Sequence, residues 1–144
     1  MPIYLDSGCP SGDGYSCYVF ISKYTRDVIK KVILLNALVP VSNNPAITIT
    51  VPITPNEAKE IIRRAEKIES YIGHDATAKL LSTLLEREIQ VNRGMYTPEN
   101  YDLAIIVRLK KRLEKPEDVK TVTLNDIEFL LVRYYTNVEV VVHE

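Results

Sequence analysis

Cysteine is scarce in this sequence, because Cys9 and Cys17 are the two cysteines among 144 residues. They form no CxxC motif, and the chain has two histidines, His74 and His143. Because the cysteines form no CxxC pair and no histidine lies near them in the sequence, a zinc site is not expected. We predict two reduced thiols in a cytoplasmic protein, with a disulfide that pins the N-terminal segment as the alternative.

A large charge of either sign is also missing, since 18 Lys and Arg face 19 Asp and Glu for a net charge of −1. This balance argues against a positive field that would attract duplex nucleic acid or an anionic membrane. No apolar run approaches the roughly 20 residues of a membrane helix. The N-terminus shows no basic segment leading into an apolar stretch, so we expect an intracellular, cytoplasmic protein without a membrane partner.

Several catalytic motifs are absent. The sequence contains no P-loop, GxGxxG, GxSxG, HExxH or paired CxxC, which argues against the common NTPase, dehydrogenase, hydrolase and zinc-protease classes. What is present is the composition of a globular chain, with 46% hydrophobic and 26% charged residues. The length suits one domain that buries roughly two-thirds of its unfolded surface.

Residues 1–30 differ in character from the rest of the chain. Glycines and a proline crowd positions 8–14, which predicts a loop or arm, followed by a short strand at 18–21 and a helical turn at 25–31. We therefore divide the chain into an N-terminal extension at 1–30 and an α/β domain at 31–144.

Strand patterns recur through this second part. Continuous β-favouring runs at 32–35 and 103–109 predict strands buried on both faces, while the alternation at 46–53 with Pro52 predicts a half-buried edge strand. Further strands are predicted at 89–91, 130–135 and 138–142. With the intervening helices, the pattern indicates an α/β (α+β) fold, a single compact domain with a mixed β-sheet flanked by helices.

Two helices are marked by their starts. Thr54-Pro55-Asn56-Glu57 is a capping box with proline at the first helical position. The apolar stripe that follows comprises Ala58, Ile61, Ile62, Ala65 and Ile68. A second helix is predicted to begin at His74 or Asp75, directly after Gly73, and its apolar stripe comprises Ala78, Leu81, Leu84 and Leu85. A short helix is also predicted from Thr123.

The segment Ile72-Gly73-His74-Asp75-Ala76-Thr77 has the pattern of a phosphate-receiving helix N-terminus. Free backbone N–H groups and the helix dipole attract anions there, and Gly73 permits close approach. Thr77 adds a hydroxyl donor, and His74 is a candidate general acid. The alternatives are that His74 merely caps its helix, and that Asp75 is an N-cap rather than a catalytic carboxylate.

Four further groups are candidate ligand contacts. The basic run at 108–112 is either a phosphate clamp or a solvated strand end, and Arg93 is either a second phosphate contact or a surface residue. Asn36 ends the first buried strand, where a base or ribose contact and a turn-stabilising role are both open. Carboxylates that follow the basic run, solvated or catalytic, are Glu114, Glu117 and Asp118.

Taken in order, four motifs resemble the anti-CRISPR ring nucleases of archaeal viruses, whose bacterial relatives occur beside type III CRISPR systems or in mobile elements. The similarity spans about residues 31–142. The motifs are Val32-Ile33-Leu34-Leu35-Asn36-Ala37, Ile72-Gly73-His74-Asp75-Ala76-Thr77, Val91-Asn92-Arg93 and Lys111-Arg112-Leu113-Glu114.

The resemblance implies a small homodimeric α/β protein without cofactor or metal. It implies a phosphodiesterase that binds cyclic tetra-adenylate, cleaves it to linear di-adenylate by 2′-OH attack and so blunts type III CRISPR signalling, in the host-cell cytoplasm if the protein is viral. His74 would then be catalytic, with Glu114 as the carboxylate. The implied ligand-binding residues are Asn36, Gly73, Thr77, Arg93 and Arg112.

Two positions depart from the family's pattern. A serine often follows His-Asp, where this chain has Ala76, and a glutamate usually lies three residues past the arginine, where this chain has Lys115. Glu114 or Glu117 is the available substitute for that glutamate. Alternatives are therefore a non-catalytic protein that sequesters the cyclic nucleotide and a small nucleic-acid-binding protein that uses residues 108–112.

Overall fold

A five-stranded mixed sheet forms the centre of the fold; the strand of residues 47–53 lies at one edge, followed by the strands of residues 127–135, 103–109, 29–35 and 65–70. The computed structural model describes residues 5–8, 18–21, 29–41, 44–110, 120–136 and 138–139. The sheet's strands in chain order are β3 (Ile29–Leu35), β4 (Ile47–Ile53), β5 (Ala65–Ser70), β6 (Leu103–Leu109) and β7 (Ile127–Tyr135). Two helices, α1 (Pro55–Arg64) and α2 (Asp75–Leu84), precede and follow β5.

The strand directions place the carboxyl ends of three neighbouring strands side by side. β3 runs parallel to β5 and β6, whereas β7 is antiparallel to β4 and β6. The predicted mixed sheet flanked by helices in a single α/β domain is confirmed. The segments that leave β3, β5 and β6 consequently emerge at the same end of the sheet, beyond the carboxyl ends of its strands, where open α/β sheets bind their ligands.

Both faces of the sheet are covered. Alternate residues of β3 point to opposite sides, so Val32 and Leu34 join the helix-covered core while Ile33 and Leu35 join a second core. The first core contains Ala58, Ile61 and Ile62 of α1 and Ala78, Leu80 and Leu81 of α2. The second core contains Tyr96 and Tyr134, and Val39, Val41 and Tyr71 pack against this cluster.

The start of α1 follows the sequence pattern. The Thr54 hydroxyl accepts a hydrogen bond from the Glu57 backbone N–H at 3.2 Å, and Pro55 is the first helical residue. Likewise Pro52 lies on β4, an edge strand of the sheet. The start of α1 and the edge-strand position of Pro52 are both confirmed, because each prediction follows from the chemistry of one or a few adjacent residues.

The end of α1 was predicted wrongly. The apolar stripe continues to Ile68, but the helix ends at Arg64 and the chain turns directly into β5. The reason is tertiary, because β5 pairs with β3 from Ile29↔Ala65 to Leu34↔Ser70. Arg87 secures the junction by donating hydrogen bonds to the carbonyls of Ile62, Ala65 and Glu66.

Other predicted elements need correction. Residues 89–91 form no strand; Val91 makes a single parallel bridge with Ile72. Residues 138–139 are not in a strand, and residues 140–142 lie outside the described part of the chain. Leu124–Asp126 is the predicted short helix, a 3₁₀ turn with a capping box from Thr123 to Asp126.

The N-terminal region contains a separate antiparallel pair, β1 (Leu5–Gly8) and β2 (Tyr18–Ile21). β2 confirms the predicted strand, whereas β1 was not predicted and overlaps the predicted loop at Gly8. The helical turn predicted at 25–31 is wrong for its last three residues, which begin β3, and residues 25–28 lie outside the described ranges.

Within the described ranges, no helix is long and apolar enough to cross a membrane.

Candidate functional site

A cleft of about 370 Å³ opens at the end of the sheet where the parallel strands finish. Three segments line it: the residue after β3, the β5–α2 connection and the loop that follows α2. The lining residues are Asn36, Tyr71, Gly73, His74, Asn92, Arg93 and Gly94. Four predicted site residues, namely Asn36, Gly73, His74 and Arg93, thus come together although 57 positions separate the first from the last.

His74 is the N-cap residue of α2, and its backbone is extended, with φ −104° and ψ 124°. It occupies the cap position, as the structural alternative predicted, but its imidazole makes no capping hydrogen bond. The side chain is exposed at the cleft. An imidazole so placed is available to a ligand, beside the helix end where backbone N–H groups lack intrahelical partners.

Asp75 does not have the predicted N-cap role, because it is the first residue of α2 rather than the residue before it. Its carboxylate forms an ion pair with Lys79 one turn further along, at 3.2 Å. The neighbouring lysine offsets the negative charge that would otherwise oppose an anion at this helix end.

Arg93 is attached to the segment that carries His74. Its Nε donates a hydrogen bond to the Gly73 carbonyl at 3.1 Å, and the adjacent Asn92 N–H donates to the Ile72 carbonyl at 2.9 Å. A guanidinium has five N–H donors, so this bond uses one of them. The two hydrogen bonds bring an arginine and a histidine from separate loops to one wall of the cleft.

Gly73 is not required by backbone strain. A Cβ added there would lie 3.6 Å from the Cγ of Arg93, which is ordinary van der Waals contact. Gly94 is tighter, since an added Cβ would lie 3.0 Å from the Oδ1 of Asn92, the atom that accepts the Gly94 N–H. A glycine is therefore needed more at position 94, where an added side chain would force the neighbouring Asn92 side chain to shift, than at position 73.

Sequence reasoning missed Tyr71 in this cleft. The residue directly follows β5, and its N–H donates to the Leu34 carbonyl at 2.9 Å. Its hydroxyl donates to the Oε1 of Glu69 at 2.9 Å. Tyr71 could have been predicted if residues 65–70 had been assigned to a strand, because it would then lie at a carboxyl strand end, as Asn36 does.

A polar network lies behind Tyr71. The Lys31 ammonium lies 3.5 Å from Glu69 Oε2 and 3.9 Å from Asp102 Oδ1, and Asp102 also accepts a 2.5 Å hydrogen bond from the Tyr96 hydroxyl. The hydrogen bond to Glu69, with burial, raises the pKa of Tyr71, and burial with the bond to Asp102 raises the pKa of Tyr96. Both phenols therefore remain protonated donors near neutral pH.

The other predicted site residues lie elsewhere or are not described. Thr77 is half-buried in the first turn of α2 and does not line the cleft. Arg108 is exposed on β6 with its Nη1 4.0 Å from Glu128 Oε2. Residues outside the described ranges include Cys9, Cys17, Lys111, Arg112, Glu114, Lys115, Glu117, Asp118 and His143. Among the described residues, no three His, Cys, Asp or Glu side chains form a metal-binding group.

Comparison with known proteins gives a family match over most of the chain. The family model described as STIV B116-like matches residues 32–135. The fold is similar to that of B116 of Sulfolobus turreted icosahedral virus, with a TM-score of 0.57 and 23% sequence identity, over 71% of this chain and 97% of that one.

Three relatives are similar in sequence. Protein 26 of Sulfolobus islandicus filamentous virus (isolate Iceland/Hveragerdi) is 39% identical over 49% of this chain and 58% of its own length. Protein ORF117 of Acidianus two-tailed virus is 39% identical over 49% of this chain and 61% of its own length. YddF of Bacillus subtilis (strain 168) is 32% identical over 73% of this chain and 94% of its own length. The match therefore spans less than two-thirds of the two viral proteins.

Proposed function

The chain belongs to the STIV B116-like family, and from the chemistry of its cleft we propose that it is a metal-independent ring nuclease for cyclic tetra-adenylate. The observation that carries the proposal is the convergence of an exposed histidine, an arginine and an asparagine at the N-terminus of α2. These groups suit a phosphodiester beside a ribose and a base.

The reaction needs a positioned substrate more than a reactive protein group. A ribose 2′-OH attacks its own adjacent phosphorus, a 2′-O–P bond forms and the bond from phosphorus to the 5′ oxygen breaks. His74, as imidazolium, would donate its proton to the departing 5′ oxygen. The attacking hydroxyl loses its proton to solvent or a carboxylate, for which Glu114 is the candidate. Two such cleavages yield linear di-adenylate with cyclic 2′,3′-phosphate ends.

Charge on the non-bridging oxygens would be stabilised by hydrogen-bond donors in and beside the cleft. Arg93 and the N–H groups at the start of α2 would supply them, with Arg112 as a further predicted donor. Asn36 would bind the base or ribose of the same nucleotide. Donors fixed before the reaction need no reorganisation during it, which is why such groups contribute strongly to catalysis.

The size of the cleft favours a dimer as the active species. A volume of about 370 Å³ lies at the lower end of the range for single small ligands, so a four-nucleotide ring would extend beyond it. A second copy related by a two-fold axis would supply the same groups to the opposite half of the ring. This would place two equivalent cleavage sites on one substrate.

The proposal is tested by incubating the full chain with cyclic tetra-adenylate in EDTA and resolving the products by chromatography. We expect linear di-adenylate to form at the same rate with and without added Mg²⁺. Intact ring after many hours at high enzyme concentration would contradict the proposed activity. Cleavage that stops in EDTA would contradict its independence of metal.

Arg93 is expected to contribute to ligand affinity. Replacing it with alanine removes a charge-assisted contact worth about 1.5–3 kcal/mol, so the Kd for cyclic tetra-adenylate should rise about 10- to 150-fold in calorimetry. Arg93→Lys should recover only part of this loss, because lysine keeps the charge without the planar fork.

Arg63 provides a matched control for that measurement. It is an exposed arginine, ion-paired with Glu60 on α1 at 2.6 Å, and it does not line the cleft. Arg63→Ala should leave the Kd within about twofold. Equal losses in both variants would indicate a general effect of surface charge, and the assignment of Arg93 to the phosphate would fail.

A sequestering protein is the alternative that specific residues favour. Ala76 lacks the hydroxyl that the resembled family often has in the first turn of the helix, and Lys115 replaces its usual glutamate. Tight binding with no product in a single-turnover experiment would support this alternative. Restoring the family residues with Ala76→Ser and Lys115→Glu should then produce cleavage.

A further inference from the structure

The ring of Tyr71 is held from several directions at the border of the cleft. Its hydroxyl donates to Glu69 at 2.9 Å, and its ring packs against Tyr96 with a centroid distance of 5.2 Å and an interplanar angle of 53°. Its backbone N–H is bonded to the Leu34 carbonyl. The position of this aromatic side chain is thereby fixed before any ligand binds.

The groups that hold Tyr71 are themselves held. Tyr96 packs against Tyr134 at 6.0 Å, and its hydroxyl is bonded to Asp102. The Lys31 ammonium lies between Asp102 and Glu69, the two carboxylates that accept the tyrosine hydroxyls. The layer behind the cleft is therefore a connected network, which is stiffer than separate contacts.

We propose that Tyr71 is the nucleobase platform of the cleft, with its ring stacked on a purine. Stacking on a pre-positioned ring gains affinity without the cost of ordering the side chain. Two amide side chains line the same cleft. Asn36 offers a donor and an acceptor to the edge of that base, and Asn92, whose Oδ1 accepts the Gly94 N–H, offers its NH₂ donor. The inference rests on the proposed function for the identity of the base.

The hydroxyl and the ring of Tyr71 are separable by substitution. Tyr71→Phe keeps the ring and removes the bond to Glu69, whereas Tyr71→Leu keeps an apolar side chain and removes the stacking surface. We expect the Kd for cyclic tetra-adenylate to rise less than about threefold in Tyr71→Phe. In Tyr71→Leu it should rise about 5- to 150-fold, the range found for loss of one stacked base.

Fluorescence of 2-aminopurine provides a readout that a structural role would not move. The probe is a cyclic tetranucleotide with 2-aminopurine in place of adenine and 2′-fluoro riboses, which lack the attacking hydroxyl. Saturating wild-type protein and Tyr71→Phe should quench its emission by stacking, and Tyr71→Leu should quench it clearly less. Bound wild-type protein without quenching, or equal quenching in all three, would overturn the platform.

Tyr134→Phe is the control for this layer. It removes the hydrogen bond from the Tyr134 hydroxyl to the Val39 carbonyl, 2.9 Å long, without touching the cleft lining. This substitution should lower thermal stability but leave quenching and Kd unchanged. A loss of quenching and affinity equal to that in Tyr71→Leu would overturn the platform.

The platform and the proposed function fail in different ways. Quenching without cleavage of the natural ring would support the platform and contradict turnover. Cleavage of cyclic tetra-adenylate, with as much quenching in Tyr71→Leu as in the wild type, would support turnover and contradict the platform. If cyclic tetra-adenylate does not bind at all, 2-aminopurine riboside monophosphate tests the platform alone. Absence of quenching at millimolar concentrations of this nucleotide would overturn the platform.

Discussion

His74→Ala is expected to reduce cleavage of cyclic tetra-adenylate by about 10²- to 10⁴-fold, the usual contribution of a general acid. The physical reason is that the departing 5′ oxygen would leave as an alkoxide without a proton donor. Binding should be nearly unchanged, since the imidazole is exposed and makes no capping hydrogen bond whose loss would disturb α2. Single-turnover rates in EDTA measure this effect directly, and added imidazole should restore part of the rate.

Asp75→Asn is the matched control, because it alters the next residue, which does not line the cleft. We expect its rate to remain within about threefold of the parent. If His74→Ala cleaves as fast as the parent, the role of His74 is wrong. If Asp75→Asn instead loses activity, the catalytic group at this helix end is the carboxylate.

Leu81→Ala is expected to lower the free energy of unfolding by about 2–5 kcal/mol. Leu81 is fully buried, with 0% exposure, in the core between α2 and the sheet. The substitution removes apolar contacts and leaves a cavity that neighbours fill only in part. A typical domain has about 5–15 kcal/mol in total, so the loss would be visible as an early urea transition.

Leu38→Ala makes the same chemical change at a side chain that is 51% exposed, and it should alter stability by no more than about 0.5 kcal/mol. Similar losses in the two variants would contradict the assignment of Leu81 to the core. Because α2 carries His74 at its N-cap, Leu81→Ala should also lose cleavage at temperatures where the wild type is still folded.

The proposed activity gives these residues a biological setting. Two of the relatives that this chain resembles come from archaeal viruses, and a third comes from Bacillus subtilis. Under the proposed function, a viral member would remove the messenger that activates type III CRISPR defence in its host. The experiments above test the chemistry without depending on which organism carries the chain.

Much of the candidate site could be predicted from local sequence. Gly73-His74 marks the start of α2 because glycine interrupts the preceding pattern and an apolar helical stripe follows it. Asn36 marks the end of β3 because a run of buried β-favouring residues stops there. Their meeting in one cleft follows from the parallel pairing of β3 with β5, and β5 was not among the predicted strands.

Other features depend on contacts that a local pattern does not encode. Residues 65–70 contain alanine, glutamate and lysine, which favour a helix, yet they form β5. Pairing with β3 outweighs that preference, and it also places Tyr71 at the strand end. Local sequence thus determined the helix starts, the edge strand and the histidine at the head of α2. The tertiary structure decided where α1 stops and which aromatic ring borders the cleft, because long-range backbone pairing is stronger than the weak intrinsic preference of six residues.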